Sequence, residues 1–194
     1  MRETEITVQV FDDINTIKKQ LQILNYFIIE EYEMTDYYYS KLSLQELKKM
    51  TYSNLIKNSL LVRDIQDNNP KIQMVYKDKI LDNNDNVISE EKIKIKVDNL
   101  ENSLKILNLI NMTCWCKVNQ NMIVYKKDNI EFAIQIIDGL GIFIEYEEDE
   151  SMKNLSEYEK INLMKNNLKN LGLNLGTDYS CKKVYMKFLK ETQK

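Results

Sequence analysis

Two glutamates set two residues apart offer the clearest chemistry in this sequence. They are Glu145 and Glu147, inside Ile134–Glu150, IQIIDGLGIFIEYEEDE. Successive side chains of a strand alternate between faces. Ile142, Ile144 and Tyr146 therefore point one way, and Phe143, Glu145 and Glu147 point the other. Residues two apart share a face, roughly 6–7 Å apart at about 3.3 Å rise per residue. Two carboxylates at that spacing can hold a hard divalent cation through oxygen. The same pattern also suits the wet face of a half-exposed sheet. The rest of that face decides between the two.

The surrounding stretch shows how the pair is held. A β-branched run ends at Asp138, and Gly139-Leu140-Gly141 makes a tight turn with two of the chain's four glycines. The arm carrying Glu145 and Glu147 then returns as the second strand of a hairpin.

Composition limits the chemistry further. The 194 residues contain no histidine. That removes Ser-His-Asp and Cys-His nucleophiles, H-E-x-x-H zinc sites and imidazole proton shuttles. No P-loop or G-x-G-x-x-G fingerprint is present. Cys114, Cys116 and Cys181 form no disulfide framework and cannot build a four-cysteine zinc site, so they read as core or neutral thiols. Any catalysis must use carboxylates, lysines, arginine, tyrosines and a bound metal. Net charge is −3 with mixed signs, so no broad basic footprint favours nucleic acid. No apolar run approaches ~18 residues, and the opening MRETEITVQ lacks a signal-peptide profile. The expectation is a cytoplasmic protein without a membrane partner.

Read in order, the chain alternates strands and helices. Glu3–Val10 puts Ile6, Val8 and Val10 on one face and Glu3, Glu5, Thr7 and Gln9 on the other, the pattern of a half-buried strand. Asp12 or Asp13 caps a helix with a stripe of Ile14, Ile17, Leu21 and Leu24. Residues 26–40 return as a strand ending in tyrosines, and two short helices follow from Ser43 to Lys57. Ser59–Ile65 and Lys71–Ile80 are strands carrying Arg63 and Lys77, with turns at Asp67–Pro70 and Asp82–Asn86. In Glu90–Val97, Ile93, Ile95 and Val97 are expected to be buried, with Lys92, Lys94 and Lys96 opposite. Asp98 or Asn99 caps the next helix. Strands are then expected at Thr113–Val118, Met122–Lys127 and Ile130–Asp138. A capping box, Ser156 to Glu159, starts a helix ending near Leu171-Gly172, and a last helix covers roughly Ser180–Lys190.

A faint internal repeat links Ile6–Asn25 with Ile93–Asn108. Each has an alternating strand, an Asp or Asn cap and an aliphatic helix before another strand. No linker divides the two halves, so one domain over residues 1–194 is expected. Eight or so strands with alternating polar residues could close into a barrel with a charged lumen, or stay an open sheet with a solvated face.

At this point the chain resembles the CYTH family, the triphosphate tunnel metalloenzymes, which include class IV adenylyl cyclases and thiamine and inorganic triphosphatases. The resemblance covers roughly residues 3–150. The family's strand-Asp, turn and L-G-x-F-x-E-x-E are met by Asp138, Leu140, Gly141, Phe143, Glu145 and Glu147. Its D-x-Y resembles Thr35-Asp36-Tyr37-Tyr38, and its L-R-x-R resembles Leu60-Leu61-Val62-Arg63. Its x-Y-K is similar to Val75-Tyr76-Lys77, and its K-x-R to Lys117-Val118-Asn119. The name motif E-x-E-x-K keeps Glu3 and Glu5 but has Thr7 at the lysine position. Leu61 and Asn119 replace two arginines, and an R-x-E-x-E strand appears charge-exchanged as Glu90, Lys92 and Lys94.

The resemblance implies an α+β fold, a mostly antiparallel closed barrel of about eight strands with helices packed outside. Its cavity would take a nucleoside or inorganic triphosphate with Mg²⁺ or Mn²⁺. Glu3, Glu5, Glu145 and Glu147 would form the metal side, and Arg63, Lys77, Lys117 and Lys94 would hold phosphates. A homodimer is compatible with it. The missing cations imply that triphosphate binding outlasts turnover. They leave a degenerate phosphate-ligand binder as the alternative to a triphosphatase or cyclase. A third reading is an interaction protein docking through an aromatic patch at Tyr37–Tyr39 and Tyr52.

Overall fold

The computed structural model describes residues 3–82 and 86–192. The expected turn at Asp82–Asn86 lies for the most part outside them. Eight strands are present: β1 (Glu5–Val10), β2 (Phe27–Ser40), β3 (Leu60–Gln66), β4 (Lys71–Leu81), β5 (Val87–Val97), β6 (Thr113–Lys127), β7 (Ile130–Ile137) and β8 (Gly141–Glu147). Six α-helices accompany them: α1 (Ile14–Ile23), α2 (Leu44–Leu47), α3 (Tyr52–Lys57), α4 (Leu100–Leu109), α5 (Glu157–Lys169) and α6 (Lys183–Thr192). The two strands expected between Thr113 and Lys127 are one long strand, β6. It pairs with β2 almost end to end, and that partner carries it through the polar Asn119–Asn121.

All strand pairs are antiparallel, in the order β1-β8-β7-β6-β2-β3-β4-β5. The repeat in the sequence explains this order. Exchanging β1 with β5, β2 with β6, β3 with β7 and β4 with β8 reproduces it in reverse. The sheet is thus two similar halves joined at β2 and β6, with α1 and α4 in corresponding places.

Outside, Ile6, Val8 and Val10 of β1 and Ile144 and Tyr146 of β8 pack under Ile17 and Leu21 of α1 and Met164 and Leu168 of α5. Asp13 caps α1, accepting from Asn15 and Thr16 N–H groups, and Asn99 caps α4. Leu107 of α4 packs with Tyr39 and Val62 over the other half. A third cluster closes one end of the barrel, where Leu47 of α2, Leu55 and Ile56 of α3 and Phe188 of α6 meet Tyr38, Trp115 and Phe143.

One face assignment is inverted. Ile93 and Ile95 are 55% and 61% exposed, and Val97 is only half-buried. The strand β5 is an edge whose outer face no helix covers. Its lysine face turns inward, where carboxylates meet it. The sheet curls until Glu3 and Glu90 pair across the two edges, with N–H to O distances of 2.9 and 3.0 Å. The barrel is not fully closed. Further along β1, the free edge is covered by residues 174–181. Phe11 donates to the Asn174 carbonyl, Gly176 to that of Gln9, Thr7 to that of Tyr179, and Cys181 to that of Thr7, at 2.8–3.0 Å.

Candidate functional site

The inner faces of the curled sheet line a cavity. Strand register sets who meets whom. Glu5 lies opposite Glu147, and Thr7 opposite Glu145, across the β1–β8 pair. Arg63 of β3, Lys77 and Lys79 of β4, and Glu90, Lys92 and Lys94 of β5 approach from the other half. The cavity has a wide chamber of about 600 Å³ and an adjoining enclosed one of about 80 Å³. Met34, Arg63, Lys77 and Glu145 line both. The narrower chamber sets the apolar Ile56, Leu61, Val75 and Val184 beside charged and polar side chains that include Lys79, Gln135 and Lys183.

Charges in this interior are paired. Asp36 on β2 is 2% exposed and accepts two hydrogen bonds from Arg63, at 2.7 Å each from Nε and Nη2. Burial disfavours the guanidinium, but Asp36 overcomes it and keeps the charge firmly in place. Glu90 is fully buried. It touches Lys79 and lies 3.0 Å from Lys92 and 3.7 Å from Lys77. Burial alone would raise its pKa. The three ammonium groups outweigh that and hold the carboxyl well below the usual range. The Lys77 pKa is lowered too, but here that disfavours the charge, because burial lowers it more than Glu90 restores it.

The acidic side has three members. Glu5, Glu145 and Glu147 each offer a carboxylate oxygen, and these atoms lie within 4.8 Å of one another. Glu145 is held below the usual carboxylate range. Burial opposes its charge, but Lys183, Lys77 and Lys92 outweigh it. Glu5 behaves oppositely: burial pushes its pKa up, with Glu145 and Glu90 adding to the rise, despite Lys79 at 3.4 Å. One Glu5 oxygen, Oε2, is buried and makes no hydrogen bond, with the Lys92 ammonium 3.4 Å away. An all-oxygen donor set with an unsatisfied buried oxygen fits a hard divalent cation. Three lysines meet this cluster: Lys79 at Glu5, Lys92 at Glu5 and Glu147, and Lys183 at Glu145.

Three expectations need correction. Glu3 is outside the carboxylate cluster. Its backbone pairs with Glu90, and its half-exposed side chain reaches only Lys92, at 3.7 Å. Lys117 does not reach the cavity. Val118, Gln120, Met122 and Val124 are the inward residues of β6, so Lys117 falls on the outer face, exposed and 5.3 Å over the Tyr37 ring. The aromatic patch is mostly not a surface, since Tyr38, Tyr39 and Tyr52 are buried. Lys94 does line the wide chamber, though its side chain is exposed. The thiols are inert in character: Cys116 is buried and its pKa pushed up to about 12, chiefly by burial.

Sequence reading missed Glu90, Lys79 and Lys92 as a buried cluster, and Lys183 altogether. Alternation along β4 and β5 places Lys79 with Lys77 and Lys92 with Glu90, so a signal existed for those. For Lys183 none did, because it follows an irregular segment.

No family model matches the chain. A candidate adenylate cyclase of Methanocaldococcus jannaschii is 27% identical over 193 residues, spanning 96% of this chain and 97% of that protein. A Pyrococcus horikoshii protein has the same fold, with a TM-score of 0.70 at 16% identity over 98% of this chain and 99% of its own. A candidate adenylyl cyclase from Hippeastrum, described as having a dominant triphosphatase activity, gives a TM-score of 0.63 at 15% identity, covering 97% and 96%. A candidate adenylate cyclase of Vibrio parahaemolyticus gives 0.61 at 14% identity, covering 97% of both chains. The chain is therefore similar along its length to proteins described in these terms, and it shares their α+β barrel.

Proposed function

We propose that this chain is a CYTH-type triphosphate-binding protein, one domain over residues 1–194, that hydrolyses a phosphoanhydride bond of a small triphosphate with a divalent cation. One observation carries this reading: Arg63, Lys77 and Lys94 line the same chamber as Glu145 and Glu147, with Glu5 beside them. A triphosphate carries about four negative charges, and charge-assisted hydrogen bonds to such an anion are the strong ones. Asp36 takes two guanidinium donors of Arg63 and fixes its plane, leaving the others for a phosphate oxygen. Lys77, whose charge burial disfavours, gains from an anionic ligand beside it. Glu5, Glu145 and Glu147 are the residues that would hold Mg²⁺ or Mn²⁺. When bound, such an ion polarises phosphoryl oxygens and acidifies water.

A second reading has support of its own. Lys79, Lys92 and Lys183 are already paired with Glu90, Glu5, Glu147 and Glu145. Binding needs only nearby charge, whereas rate enhancement needs charges aimed at the transition state. A tunnel so internally compensated could bind without turning over.

One experiment separates them. Phosphate release from tripolyphosphate and ATP, with pyrophosphate and cyclic AMP release from ATP, is measured with Mg²⁺ or Mn²⁺. The expected result is metal-dependent phosphate release that exceeds cyclic AMP formation. In Glu145→Gln it should fall by about 10²-fold or more, the scale of losing one preorganised electrostatic contact. Thermal stabilisation by tripolyphosphate without turnover would instead support the binder. Absence of both turnover and stabilisation would sink the triphosphate reading.

A further inference from the structure

The outer edge of β5 is bare over residues 93–97. Glu90 both donates to and accepts from Glu3 across the gap in the barrel, so its N–H and C=O point away from β4. Along a strand these groups alternate in direction from one residue to the next. Lys94 and Lys96 therefore direct theirs the same way as Glu90. The register of β5 on β4 runs without a shift from Glu90 to Val97, so no bulge reverses them. Among the described residues, Glu3 alone bridges to this edge.

The internal repeat shows how the equivalent edge is treated in the other half. Aligning Ile6 with Ile93 sets Thr7 on Lys94 and Gln9 on Lys96. In β1 these positions are taken. Thr7 donates to the Tyr179 carbonyl and accepts from Cys181 N–H, each at 3.0 Å, and the Gln9 carbonyl accepts from Gly176 at 2.8 Å. No described segment does this for Lys94 and Lys96. The outer faces differ in the same sense. Ile6 and Val8 are buried under α1 and α5, whereas Ile93 and Ile95 are exposed. Lysines on an edge discourage pairing with a like strand. A second copy of β5 would set lysine against lysine, or lysine against isoleucine, and both are poor cross-strand pairs. A strand of carboxylates and apolar residues meets no such objection.

We propose that the β5 edge at residues 93–97 docks an extended segment of a partner protein, one whose residues alternate between acidic and apolar. The segment adds a strand to the sheet. Its main chain bonds Lys94 and Lys96, its carboxylates meet their exposed ammonium groups on the inner face, and its apolar side chains cover Ile93 and Ile95 on the outer one. Charge complementarity selects this occupant, and the repeat places it where residues 174–181 lie on β1. The inference stands apart from the triphosphate reading, because it uses the rim of the sheet and not the carboxylate cluster. Lys94 also borders the wide chamber, so the test separates the edge from the chamber.

The test is fluorescence anisotropy of a short labelled peptide alternating valine and glutamate, titrated with the full chain in EDTA so that no metal bridges the two. It should bind about tenfold or more tightly than a valine–lysine counterpart, because two opposite-charge cross-strand pairs replace two like-charge ones. Two further peptides of the same sequence carry N-methyl groups on one or the other set of alternate amides. The one methylated along its pairing edge should lose binding and the other should keep it, a difference that charge attraction alone does not produce. Bound peptide should also slow hydrogen exchange at the Lys94 and Lys96 amides. Lys94→Glu combined with Lys96→Glu should reverse the preference between the glutamate and lysine peptides. Thermal midpoints show whether that variant is folded, and the methylated pair tests the wild-type chain regardless. No uptake of the valine–glutamate peptide, equal binding of both methylated peptides, or unchanged exchange at Lys94 and Lys96 each overturns the inference. A concentration-dependent dimer that protects the same two amides gives the edge to a second copy and overturns it as well.

Discussion

Asp36 and Arg63 show what the tunnel demands of single residues. They face each other in register across β2 and β3, and two 2.7 Å hydrogen bonds join them. The side chains are 3% and 18% exposed, so neither charge has much water to fall back on. Removing one partner of such a pair strands the other. Asp36→Ala should cost about 3–5 kcal/mol of stability, read as a lower urea midpoint with an unchanged slope. It should also free the Arg63 plane and weaken tripolyphosphate binding. Lys117→Ala, a change on the outer face over Tyr37, should do neither.

At the scale of elements, α6 matters more than its place at the end of the fold suggests. Phe188 is fully buried and meets Trp115 edge-on, with ring centroids 5.1 Å apart. Lys187 and Lys190 donate to the carbonyls of Asp138 and Gly139 at 2.8 and 2.6 Å, which ties the helix to the turn before β8. Gly139 holds a left-handed φ of 69° there. The helix thus borders the narrower chamber and carries Lys183 at its start. Phe188→Ala should cost about 3–5 kcal/mol in denaturant unfolding, the usual range for emptying a large aromatic site. The exposed Ile93 and Ile95 of β5 are the opposite case. Their apolar character contributes β propensity rather than core, since nothing packs on them.

Across the whole molecule, the buried charges make stability depend on acid. Glu90 and Glu145 have folded pKa values below their unfolded ones. Their contribution is fully present above the unfolded carboxylate value, about 4.3, and is lost as pH falls through the depressed folded values. Glu5 runs the other way. Its raised folded pKa gives a contribution present below the unfolded value and lost as pH rises through the folded one, so it partly cancels the others. The thermal midpoint of the chain should therefore hold near neutrality and fall below about pH 4. In Glu90→Gln that fall should be shallower, although the midpoint at pH 7 is lower because Lys77, Lys79 and Lys92 lose their shared counter-ion. An equally steep fall in the variant would show that Glu90 does not carry the effect.

The sequence by itself determined most of the strands, which residues of each share a face, and the placing of Glu145 and Glu147 on one face. Alternation is a local property of the backbone, and a face once assigned carries all its residues with it. It was the family resemblance, not alternation, that pointed to Arg63, Lys77 and Lys94, which line the wide chamber. The sequence also contained the repeat whose topological meaning is the reversed strand order. Which face became interior was another matter. In β5 Lys92 went in and the isoleucines out, because carboxylates far away in sequence, Glu5 on β1 and Glu147 on β8, offset the desolvation of its ammonium. Lys117 went outward because the register of β6 against β2 put Val118 beside Asp36. Lys183 reached Glu145 only because an irregular segment hydrogen-bonds to the edge of β1. That pairing depends on contacts separated by more than a hundred residues, and no local pattern encodes it.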